Sequence, residues 1–141
     1  MILGRGVWVG FVWIKIVMAK KDNKIKGGWG EAQAAKYLKR NGFRVIHTNF
    51  RMTLGELDIV AVTPDNNTLV FVEVKTRMDN AYGAPCEAIT YSKRRKINEA
   101  AAQYINRFDH HNVEVRFDVI EVYLDGKVNH MEHAFDSYLR Y

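Results

Sequence analysis

From residue 69 to 77 the chain reads Leu-Val-Phe-Val-Glu-Val-Lys-Thr-Arg. Side chains alternate faces in an extended strand, so Leu69, Phe71, Glu73 and Lys75 share one side, while Val70, Val72 and Val74 share the other. Both faces begin apolar and one ends charged. An acid and a base that close a core-facing row must be paired, solvated at the rim of a sheet or engaged with a ligand, because burying a lone charge costs several kcal/mol or more.

The pattern along the rest of the chain places this strand in a sheet. Apolar residues recur at helical spacing over residues 28–40, and Arg-Asn-Gly at 40–42 supplies a glycine stop. Strands are predicted at 43–50, 56–63 and 69–76, the last two joined by the turn-forming Thr-Pro-Asp-Asn-Asn-Thr. After a loop holding Asn-Ala-Tyr-Gly-Ala-Pro, residues 92–108 put Ile97, Ala100, Ala101, Tyr104, Ile105 and Phe108 on one stripe of an amphipathic helix. A final strand is predicted at 115–124. The order α-β-β-β-α-β predicts an α/β fold, a mixed central sheet flanked by helices.

Length and composition narrow the setting. A chain of 141 residues suits one domain with its own core, assigned to 27–141, with residues 1–26 as an N-terminal extension outside the fold. An apolar run from Val7 to Ile14, interrupted by Gly10 and ended by Lys15, is too short to span a bilayer. No small-x-small cleavage site follows it, and Met18 offers an alternative start. The single cysteine, Cys86, rules out an internal disulfide and a zinc-type cysteine pair, which suits a reducing, cytoplasmic setting. A net charge of +5 is compatible with nucleic acid or an anionic surface. A membrane partner is not expected, although an adaptor using residues 2–17 is the alternative from that class.

The turn length fixes a register. If Val62 pairs with Leu69 across the six-residue turn, Asp58 lies opposite Glu73 and Glu56 opposite Lys75, with directly opposed Cβ atoms about 5 Å apart. Two carboxylates so placed repel unless one is protonated or a cation lies between them. A hard divalent ion with oxygen ligands, Mg²⁺ or Mn²⁺, resolves the conflict. Lys75, one pleat further on, is placed to hold a nucleophilic water or to stabilise charge on a phosphate. Glu31 shares a helix stripe with Ala34, Ala35 and Leu38 and should lean toward the sheet. The plainer alternatives are a helix-dipole role for Glu31, a rim ion pair between Glu56 and Lys75, and a turn hydrogen bond for Asp58.

Gly-Glu-Leu-Asp followed by Glu-Val-Lys resembles the D…(D/E)xK signature of restriction-endonuclease-like nucleases, whose core also runs α-β-β-β-α-β. The longer set GGWGEAQAAKYLKRNGF, NFR, GELDIVA, LVFVEVKTR, YGAP, KRRKINEAAAQYI and RFDVIEV is similar to the YraN family of bacterial proteins over roughly residues 27–124. The resemblance implies a restriction-endonuclease-like fold, Asp58 and Glu73 as metal ligands, Lys75 as the catalytic lysine and Glu31 as the helix-borne acid. The proline that precedes the aspartate in the full PD-(D/E)xK form of that signature is absent, Leu57 standing before Asp58. Activity follows from a fold only by analogy. The function expected is a metal-dependent endonuclease that hydrolyses phosphodiester bonds in nucleic acid, DNA in particular. The alternative is a catalytically silent nucleic-acid-binding module of the same fold.

Positive charge extends the picture. Lys93, Arg94, Arg95 and Lys96 open the second helix, where the dipole disfavours cations by a few tenths of a kcal/mol each, so they are candidate phosphate contacts. Arg51 and Arg77 flank the motif strands and would extend that path. No base-reading module is present, so any specificity would come from shape, such as a branch, a flap or a single-stranded end. Among the histidines, His47 is expected to be a strand residue with a satisfied hydrogen bond. His130 and His133 stand at a spacing that chelates on a helix but make no complete metal site, and are expected at the surface.

Overall fold

The computed structural model describes residues 23–77, 89–110 and 112–138, with the backbone alone at 23–27. Helix α1 (Asn23–Arg40) leads into strands β1 (Arg44–Met52), β2 (Gly55–Val62) and β3 (Thr68–Arg77). Helix α2 (Tyr91–Phe108) follows, then β4 (Glu114–Tyr123) and β5 (Val128–Phe135). The five strands form one sheet in sequence order, antiparallel throughout except for the parallel pair β3–β4 that α2 bridges. This is the expected α/β core, extended by β5.

Alternation along β3 sorts the core into two layers. Val70 and Val72 pack with Ala34, Ala35 and Leu38 of α1 and with Ile59, Ala61, Ile120 and Val122. On the other face Leu69 and Phe71 pack with Ile97, Ala100, Ala101, Tyr104 and Ile105 of α2. The helix stripe is buried as its periodicity requires, except Phe108, which is 39% exposed at the end of α2. Burying a Phe or Leu side chain stabilises by about 1.5–3 kcal/mol, so each face of the sheet is held by several such contributions.

The ends of the helices obey local chemistry. Gly42, with φ of +85°, follows α1, and the amides of Gly42 and Phe43 donate to the carbonyls of Lys39 and Leu38. This is the double closure that a left-handed glycine permits. At the start of α2 the Thr90 hydroxyl accepts from the Lys93 amide at 3.2 Å, the side-chain cap that satisfies a free helix donor. The structure begins α1 at Asn23 rather than at residue 28.

Strand β5 was not expected. Its sequence, Val-Asn-His-Met-Glu-His-Ala-Phe, is half polar, and as an outer strand paired only with β4 it needs no continuous apolar face. Asp125-Gly126 before it is a hairpin signal. Gly126 takes φ of +89° and its amide donates to the Tyr123 carbonyl at 2.9 Å. His130 and His133 therefore lie on a strand, not a helix. His130 is also not at the surface: its side chain is 6% exposed and its Nε2 lies 2.8 Å from an Asp118 oxygen. His47 does carry a hydrogen bond, its Nδ1 lying 2.9 Å from the Tyr104 hydroxyl.

Candidate active site

The β2–β3 register is the expected one from Val62↔Leu69 to Ile59↔Val72, and the ladder ends there. The cause lies in β2. Leu57 packs on the α2 side of the sheet and Ile59 on the α1 side, although regular alternation would put both on one face. The chain therefore turns over at Asp58. On β1 the pairs Thr48↔Ile59 and Phe50↔Leu57 bracket Asn49, whose φ of 51° lies in the left-handed region that asparagine tolerates better than most residues. Freed from a regular pair, Asp58 turns its carboxylate to accept the Val74 amide at 2.9 Å.

This turn gathers the acids. Carboxylate oxygens of Glu31, Glu56 and Asp58 lie within 4.8 Å of one another. Glu31 reaches them from α1 because Gly30 lies against β3: a Cβ on Gly30 would meet the Thr76 hydroxyl oxygen at 2.2 Å. Glu56 does not face Lys75 as the extrapolated register required. It pairs across β1–β2 with Arg51, at 3.3 Å. Glu73, 5% exposed, joins Asp58 by a carboxyl hydrogen bond and has two ammonium neighbours, Lys75 at 3.6 Å and Lys93 at 3.5 Å from the same oxygen.

The electrostatics record too many acids for the cations present. Burial, followed by the Glu73 carboxylate, pushes Asp58 up to about 8, outweighing the Val74 amide that favours its ionised form; Glu31 adds to the rise. Glu31 is itself raised, first by burial and then by Glu56 and Glu73, with Arg51 opposing. Asp58 is thereby biased toward its protonated form, in hydrogen-bond contact with Glu73. An all-oxygen donor set with raised carboxyl groups fits a hard divalent cation, whose charge would replace that proton.

The expected phosphate contacts separate into distinct groups. Lys93 points into the site and touches Glu73, a role that sequence spacing gave no means to foresee. Arg94 is drawn into structure, its Nε donating to the Ile89 carbonyl at 3.2 Å. Arg77 is withdrawn from the proposed path by a 2.6 Å ion pair with buried Glu121. Arg95 is exposed and pairs with Glu99 on its own helix at 3.0 Å, and Lys96 is exposed. The loop at 80–85 and Cys86 lie outside the described residues.

The sequence profile described as "Uncharacterised protein family UPF0102" matches residues 30–122. The chain belongs to the UPF0102 family. A UPF0102 protein of Alkaliphilus oremlandii is 48% identical over 118 residues, covering 80% of this chain and 99% of that protein. One from Clostridioides difficile is 43% identical over 115 residues, covering 81% and 99%. Among solved structures, a repair endonuclease from Pyrococcus abyssi aligns with a TM-score of 0.33 and 21% identity, covering 66% of this chain and 37% of that one. Pyrococcus furiosus SfsA in complex with Ca²⁺ aligns with a TM-score of 0.31 and 15% identity, covering 79% and 64%. The chain thus spans about a third of the first neighbour and under two thirds of the second. Every acid and both lysines of the site lie inside the family match. Among the described residues, no helix is long and apolar enough to cross a membrane.

Proposed function

We propose that this UPF0102 protein is a metal-dependent endonuclease that hydrolyses phosphodiester bonds in nucleic acid, with DNA as the substrate. The observation that carries this reading is the convergence of Glu31, Glu56 and Asp58 within 4.8 Å, beside a Glu73 that already contacts Lys75. In this reading Asp58 and Glu73 would hold Mg²⁺ or Mn²⁺, with Glu31 and Glu56 in support. A bound divalent ion supplies Lewis acidity toward a phosphoryl oxygen and lowers the pKa of water.

The protein's own groups do the rest. Asp58, in its ionised form, and Glu73 would be the two negative groups that face such an ion. Lys75, 31% exposed and beside Glu73, orients the attacking water and offsets charge gathering on the phosphate. Lys93 faces the same point from α2 and holds a nonbridging phosphate oxygen of the strand to be cut. Val74 fixes Asp58 through its amide, which keeps the acid at the place where the ladder opens.

The test is cleavage of labelled single-stranded, duplex, flap and four-way DNA, with RNA alongside, in Mg²⁺, Mn²⁺ or EDTA. Metal-dependent cutting is expected on at least one DNA, and Glu73→Ala should abolish it while leaving the circular dichroism spectrum unchanged. Salt-sensitive binding without cutting on any substrate would replace this reading by the silent binding module.

A further inference from the structure

Two of the most exposed large side chains stand together. Tyr91, the first residue of α2, is 71% exposed, and Tyr138 is 49% exposed, yet their rings lie 6.3 Å apart at 49°. Tyr91 stands mostly in water and Tyr138 about half so, and burial alone accounts for little of the place that Tyr91 takes in the pair. What holds it is a specific tie from α2 to the chain beyond β5. Asn98, 3% exposed, accepts the Tyr138 amide on its Oδ1 at 2.7 Å and donates through Nδ2 to the Asp136 and Arg94 carbonyls at 3.4 and 3.0 Å. A buried amide with every polar atom committed is a stiff anchor. The fold thus fixes the backbone that carries Tyr138 and leaves its ring in water beside another exposed ring.

The surroundings of the pair are cationic and adjoin the acids. Lys93, two residues after Tyr91, reaches the Glu73 carboxylate at 3.5 Å, so the first turn of α2 carries both one ring of the pair and a residue of the site, set about 200° apart around the helix axis. Arg95 and Lys96 are exposed on the same first turns. Exposed aromatic faces beside basic side chains bind single-stranded nucleic acid, because bases stack on the rings while phosphates follow the cations. A duplex offers such rings no free base faces except at its ends.

Resting on the nuclease reading above, we infer that Tyr91 and Tyr138 form a stacking platform for unpaired bases of single-stranded DNA, a few nucleotides from the phosphate held at Lys93. The substrate preferred would then carry a single-stranded end or flap rather than uninterrupted duplex.

The platform is tested in EDTA, where no cleavage intrudes, with the full chain. The probes are an oligothymidylate carrying one 2-aminopurine and a relaxed covalently closed circular duplex, which has neither ends nor unpaired loops. Tyr91→Ala and Tyr138→Ala should each weaken single-strand binding by about tenfold, in line with the loss of one stacked base. Both should reduce 2-aminopurine quenching and leave duplex binding within about twofold. Tyr91→Phe, which keeps the face and drops the hydroxyl, should bind as the parent does. Equal weakening on both probes, unchanged single-strand binding in both Ala variants, or a parent that does not bind the single strand would overturn the platform. Failure of the nuclease reading would look different: no metal-dependent cutting, with the stacking signature intact.

Discussion

Two groups of acids occupy the same sheet and behave oppositely. At the open end of β2–β3, Glu31, Glu56, Asp58 and Glu73 crowd together, and burial first, then mutual repulsion, raises Asp58 and Glu31. On β4, Asp118 and Glu121 are buried too, yet both are held below their ordinary values. Burial alone would raise Asp118, but hydrogen bonds from His130 and from the Arg116 guanidinium, the latter two-pronged at 2.8 Å, reverse it. Glu121 resists burial in the same way through Arg77, Asn129 and Tyr123. Burial is common to both groups, so the supply of donors separates them. The saturated acids are structural, while the undersupplied ones keep coordination capacity that a cation can use.

The contrast can be broken most forcefully at its two centres. Glu73→Ala should lower metal-dependent cleavage by about 10³-fold or more, on the scale of losing a transition-state electrostatic contact, with little change in the urea midpoint. Asp118→Ala should do the reverse. Stranding Arg116 and His130 without their carboxylate should cost about 3–5 kcal/mol in urea denaturation, and cleavage by the molecules that remain folded should persist.

Acidity sharpens the comparison. Asp58 stands at about 8 in the folded protein against an ordinary 3.8. Without metal, the folded state therefore retains a proton that the unfolded state releases, and this group makes stability fall as pH rises between those values. Asp118 and Glu121 act in the opposite sense: their contribution is present above the ordinary carboxylate range and is lost as pH drops through their lowered values. Asp58→Asn should accordingly raise the melting temperature in EDTA, and by most at pH 9, where the proton retained by the parent is being lost. The gain should shrink steadily as pH falls and disappear only below the ordinary carboxylate value of 3.8. Mg²⁺ should stabilise the parent at pH 9 and not the variant.

Smaller effects follow at the edges of the site. Gly30→Ala should cost about 1 kcal/mol in thermal melts and reduce cleavage, since the new methyl group forces α1 away from Thr76 and takes Glu31 with it. Arg95→Ala, at an exposed pair within one helix, should change stability by less than about 0.5 kcal/mol. A larger loss would mean that surface charge matters more to this fold than the comparison holds.

How much of this was legible depends on whether the deciding contact is local. The alternation at Leu69 to Val72 announced a strand with two covered faces, and the turn length alone gave the Val62↔Leu69 register. Glycine at 42 marked the end of α1. The register failed beyond Ile59 because a backbone reversal at Asp58, matched by Asn49 on the neighbouring strand, leaves no periodic trace in residue types. Lys93 could not be placed on Glu73, since that contact depends on the packing angle of α2. Strand β5 was hidden by its polar residues, although Asp125-Gly126 pointed to a hairpin. The Asp118 network had a faint mark as well: Arg116 and Asp118, two apart on β4, share one face and meet.

The parallel pairing of β3 with β4 has a bearing on how the molecule is assembled. Every pair in that ladder, from Thr68↔Glu114 to Arg77↔Tyr123, joins segments separated by the whole of α2 and its loops. Contacts so distant in sequence close later than hairpins, because a long loop must be ordered first. A chain emerging from the ribosome presents Glu31, Glu56, Asp58 and Glu73 before α2. The lysine that α2 brings to Glu73 arrives only when the crossover docks, so the acids emerge before their second counter-charge and the growing chain passes through a stage at which its most crowded negative centre is least neutralised.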